Sequence, residues 1–210
     1  TTIAKAVYNV NIDKFEGGSF LADVRKHSQE PKLIQEQLLC DILREKKIKI
    51  GHCDEGINMI QKILRGKRVL VVLDDIDELG QLEALARMHD WFGLGSRIII
   101  TTRNEHLLNI HKVNVIYKVP ILDYNESRQL FSWHAFEQCS PKEGYEELSA
   151  KVIDNVGMLP LALKVLGSFL CDKSSSTWEK SLKKLRSSSN EILKNLRISF
   201  EGLYSNEDKD

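Results

Sequence analysis

The run Lys67-Arg68-Val69-Leu70-Val71-Val72-Leu73-Asp74-Asp75 constrains the fold more than any other stretch of this chain. Five apolar residues, three of them β-branched, end in two carboxylates. An unbroken apolar run of this kind reads as a strand covered on both faces, as in a parallel sheet wound by helices. Ligands of such sheets sit beyond the carboxyl ends of the strands. The two acids therefore have two readings. One can hold a hard cation while the other orients a water, or both can form a solvated acidic turn. The run alone does not choose between them.

The surrounding sequence extends the pattern. Residues 1–9 read as a short helix, and Gly17-Gly18 as a turn opening a strand over Ser19–Val24. Leu33, Ile34, Leu38, Ile42 and Leu43 recur at helical spacing over 32–45. Ile57, Ile60, Ile63 and Leu64 form a second stripe, with Asp54 as its N-cap and Gly66 as its stop. The acid-tipped strand is predicted over 68–73 and a helix over 79–88. A second buried strand follows over 96–103, then a short helix over 104–110 and a strand over 115–119. Strands alternating with helices predict an α/β fold with a parallel sheet. After Pro120 only helices are predicted, over 125–137, 144–156, 160–171, 177–187 and 190–199. Pro160 suits a first helical turn, where its missing N–H costs nothing. The reading is an α/β part up to about 120 and a helical bundle after it.

Composition narrows the classes. Thirty basic and thirty acidic residues cancel, and the pI is near 7.0, which argues against a dedicated nucleic-acid binder. No apolar run is long enough to span a bilayer, and no signal peptide opens the chain. Cys40, Cys53, Cys139 and Cys171 form no C-x-x-C pair and read as reduced thiols of a cytoplasmic protein. The first residues look like the inside of a helix, so the chain is expected to be cut from something longer.

Four segments, in order, resemble the NB-ARC family, the nucleotide-binding module of plant disease-resistance proteins and a branch of the STAND-type P-loop ATPases. They are Thr1-Thr2-Ile3-Ala4-Lys5-Ala6-Val7-Tyr8-Asn9, Phe15 to Arg25, Leu73-Asp74-Asp75-Ile76-Asp77 with Gly95 to Arg103, and Gly157-Met158-Leu159-Pro160-Leu161-Ala162-Leu163. Asp77 and the second segment resemble the subgroup with an N-terminal Toll/interleukin-receptor-like domain. The resemblance implies a P-loop NTPase-like parallel sheet, whose first strand and phosphate loop precede residue 1, followed by an all-α helical bundle. Residues 190–210 would begin a winged-helix subdomain.

It also implies roles. Thr1 would place its hydroxyl on Mg²⁺ and Thr2 would donate to an inner phosphate. Asp74 matches the metal-side acid and Asp75 the water-polarising, catalytic position. Arg103 would sense a terminal phosphate, and Pro160 would meet the adenine or ribose. The implied function is an ADP/ATP-dependent switch in an intracellular plant immune receptor, with at most slow hydrolysis. Implied partners are flanking receptor domains (an N-terminal signalling domain and C-terminal leucine-rich repeats) and further copies on activation. A scaffold with a degenerate nucleotide site and a turnover ATPase are the alternatives. The sequence itself contains no G-x-x-x-x-G-K phosphate loop.

Overall fold

A computed structural model describes residues 1–187. The helix expected at 190–199 and the subdomain expected over 190–210 lie outside the described residues. The chain divides into two compact units, the first Thr1–Ile116 and the second starting at Tyr117.

In the first unit β2 (Val69–Ile76) lies between β1 (Gly17–Leu21) and β3 (Arg97–Thr102), all parallel, in the order β1-β2-β3. β2 is buried along nearly its whole length, as its apolar run requires. Side chains alternate across the sheet. Gly17 and Ser19 of β1 face α2 (Pro31–Leu43): a Cβ on Gly17 would lie 2.9 Å from the Ile42 carbonyl, and the Ser19 hydroxyl donates to Asp41 at 2.6 Å. Gly18 and Phe20 face α1 (Thr2–Asn11), where Phe20 meets Tyr8 edge to face. Val69, Val71 and Leu73 of β2 close a core with Leu38 and Leu39 of α2, Ile60 and Leu64 of α3 (Cys53–Leu64), and Leu82 and Leu85 of α4 (Leu79–Ala86). Helices thus cover both faces of a parallel sheet, the α/β class expected from the sequence. α5 (Glu105–Ile110) follows β3.

Four local expectations are corrected. Gly17 and Gly18 lie inside β1 rather than in a turn, because α2 and α1 approach the strand too closely for side chains there. β1 ends at Leu21, and Asp23 turns the chain with φ of 51° into a 3₁₀ turn over Val24–His27. The N-cap of α3 is His52, whose ring accepts from the Glu55 N–H, and not Asp54. The strand expected at 115–119 does not form. No strand borders the far edge of β3 among the described residues, and a lone extended segment has no ladder to join.

The second unit holds α6 (Tyr124–Phe136), α7 (Glu146–Val156), α8 (Pro160–Leu170) and α9 (Ser175–Ser187). Asp123 and Glu126 form a reciprocal capping box at the start of α6. Phe131, Val152, Ile153, Leu163, Leu170 and Trp178 fill its core, and Phe131 and Phe136 both pack on Trp178. Pro160 opens α8 after the N-cap Leu159, in the first-turn position expected of it.

Candidate nucleotide site

The site is built on a bulge at the tip of β2. Leu73 pairs with Ile100 and Ile76 with Thr102, so Asp74 and Asp75 together face the single residue Thr101. One extra residue breaks the strict alternation of the strand and re-aims the side chains at that point. Asp75 takes a left-handed conformation, φ 59°, which an aspartate tolerates better than most residues.

Thr101 ties both acids to β3. Its hydroxyl donates to Asp74 Oδ1 at 2.7 Å and accepts the Asp75 N–H at 2.9 Å. Thr1, the N-cap of α1, donates its hydroxyl to Asp74 Oδ2 at 2.9 Å. Asp74 is fully buried. Burial pushes its carboxyl up, but the hydrogen bonds from Thr101 and Thr1 outweigh this and hold it below the usual carboxylate range. It is therefore a buried anion held by hydroxyl donors.

The donor set suits Mg²⁺. A threonine hydroxyl and a buried carboxylate stand side by side, both hard oxygen donors. One carboxylate and one hydroxyl, with phosphate oxygens and water, is how this ion is usually held. No group of three or more His, Cys, Asp or Glu side chains able to hold a metal exists among the described residues.

Asp75 lies between two arginines. Arg25 Nε is 3.6 Å from Asp75 Oδ2, and Arg103 Nε is 4.0 Å from Asp75 Oδ1. Thr2 is exposed at the first position of α1, where backbone N–H groups have no partner within the helix. The structure thus brings Thr1, Asp74, Asp75 and Arg103 to one place. Pro160 belongs to the second unit. Thr101 and Arg25 received no role from the sequence. Thr101 was readable only as the polar end of a strand, and Arg25 only as a charge after one.

A parallel sheet with helices on both faces, carrying a buried aspartate beside a helix-start threonine at its central tip, is the arrangement of a P-loop NTPase-like module. Residues 1–140 match the family described as the NB-ARC domain. The chain belongs to the NB-ARC family, whose domains are nucleotide-binding. It is 46% identical over 207 residues to Disease resistance protein RUN1 of Vitis rotundifolia, covering 97% of this chain and 16% of that protein. It is 41% identical over 211 residues to TMV resistance protein N of Nicotiana glutinosa, covering 97% and 18%. With Probable disease resistance protein RPP1 of Arabidopsis thaliana the identity is 39% over 196 residues, covering 90% and 16%. The chain spans less than a fifth of the length of these relatives.

Proposed function

We propose that this chain is part of an ADP/ATP-dependent switch in a cytoplasmic plant immune receptor. Residues 1–120 would hold the phosphate and metal side, and residues 121–189 would form a helical subdomain. The observation that carries this reading is the buried Asp74 carboxylate held between Thr1 and Thr101, with Asp75 and Arg103 beside it. The names of the relatives support the immune role, and their greater length supports flanking domains; an N-terminal signalling domain and C-terminal leucine-rich repeats belong to the same reading. Self-association on activation belongs to the same reading.

Thr1 and Asp74 would hold Mg²⁺ of the bound nucleotide, and the ion would supply charge neutralisation at the phosphates. Thr2 would donate to an inner phosphate. Arg103 would contact a terminal phosphate, so that triphosphate and diphosphate are bound differently. Asp75 would orient the attacking water, and Pro160 would lie against the adenine or ribose. A near-complete flip between two forms needs about 5.5 kcal/mol of differential affinity, and charge-assisted contacts to one extra phosphate supply part of it.

Asp74→Ala in the full-length protein should abolish Mg²⁺-dependent ATP turnover, measured by phosphate release. Turnover at the wild-type rate would rule out the metal role of Asp74.

A further inference from the structure

Three neighbouring parallel strands end at one place, and the chain leaving each tip delivers a charged side chain to it. Arg25 stands in the 3₁₀ turn after β1, Asp75 at the bulge of β2, and Arg103 just past β3. Asp75 offers a different oxygen to each guanidinium, Oδ2 to Arg25 at 3.6 Å and Oδ1 to Arg103 at 4.0 Å. Asp77 Oδ2 adds a second carboxylate, 3.9 Å from Arg25 Nε.

The distances decide what these contacts are. A charge-assisted N–H···O bond is about 2.7–2.9 Å long, and all three contacts are longer. The Arg25 side chain is 49% exposed and that of Arg103 is 60% exposed. Loose pairs of this kind contribute little stability. Asp75 therefore gathers two guanidinium groups without consuming them. Such an arrangement yields to a stronger anion with more oxygens. A terminal phosphate has both the charge and the three acceptors that planar guanidinium groups match in pairs.

We propose that Arg25 is a second residue discriminating triphosphate from diphosphate, and that Asp75 is the stand-in anion that keeps Arg25 and Arg103 gathered until a terminal phosphate replaces it. The proposal rests on the ADP/ATP reading above. It gives Asp75 an effect on binding opposite to that of a phosphate ligand: its negative charge competes with the terminal phosphate for both arginines.

The test is equilibrium binding of ADP and of a non-hydrolysable ATP analogue to the full-length protein with Mg²⁺, by calorimetry. Arg25→Ala should lower analogue affinity relative to ADP affinity about tenfold. Arg25→Lys should restore only part of the ratio, since an ammonium cannot make the paired contact. Asp75→Asn, which keeps the shape and removes the charge, should raise the ratio several-fold. An unchanged ratio in Arg25→Ala, or a lowered ratio in Asp75→Asn, overturns the proposal. Should the alanine variant lose ADP binding as well, Arg25→Lys decides: a lowered ratio supports the assignment and a wild-type ratio refutes it. Wild-type protein that binds neither nucleotide refutes the underlying switch reading, and this proposal with it.

Discussion

At the scale of single residues, Thr101 organises the site. Its one hydroxyl satisfies a buried carboxylate on one side and a backbone N–H on the other. Thr101→Val keeps the shape, strands the Asp75 N–H and leaves Asp74 only its Thr1 partner. Leaving a buried charged acceptor short of a partner costs more than an ordinary hydrogen bond contributes. The expected loss is about 2–3 kcal/mol in denaturant unfolding of the chain at pH 7, whereas Thr101→Ser should stay within about 1 kcal/mol. The pH dependence has a definite sign. The Asp74 carboxyl is lowered in the folded state, so its contribution is present above about 4, the ordinary aspartate value. It is lost as pH falls through the lowered value. The difference between Thr101→Val and wild type should therefore shrink in acid.

At the scale of elements, β1 shows how a local signal can mislead. Two adjacent glycines suggest a turn, yet here they answer to packing. A Cβ on Gly18 would come within 2.7 Å of the Leu70 carbonyl and closer still to the Ile12 side chain. The backbone of the next strand cannot step aside, so Gly18→Ala should cost about 1–3 kcal/mol by overpacking, read as a drop in the urea midpoint. β2 and the helices of both units were legible because their apolar spacing reports their own burial. The bulge was not. It exists only as two residues of β2 set against one of β3, a relation between segments distant in sequence. Arg25 was hidden for the same reason, since its partners Asp75 and Asp77 reach it only once β1 and β2 lie side by side. Thr1 and Arg103 were named through the family likeness, whereas the acids at the tip of β2 were legible from the strand itself, with a solvated turn as their other reading. Residue types alone left Thr1 an ordinary helix start and Arg103 a solvated loop residue.

At the scale of the molecule, the 210 residues hold Thr1 and Asp74, the proposed metal side of the site, and no G-x-x-x-x-G-K loop that would cradle phosphates. Such a loop works through backbone N–H groups that approach the phosphates closely and a lysine that meets their charge. Each charge-assisted hydrogen bond contributes about 1.5–3 kcal/mol. The lysine and two or three N–H groups together then supply roughly 5 kcal/mol or more, over a thousandfold in affinity at about 1.4 kcal/mol per decade. Thr1, Thr2 and Asp74 do not replace them. Two are hydroxyls, and the third is an anion that repels phosphate unless Mg²⁺ lies between. These 210 residues alone should bind ADP and ATP very weakly even with Mg²⁺ present, whereas the same side chains in the full-length protein should support tight binding. Calorimetry on the two forms under identical conditions checks this. A submicromolar dissociation constant for ADP on the 210 residues would mean that these groups hold the phosphates unaided, and that the phosphate loop contributes far less than its chemistry implies.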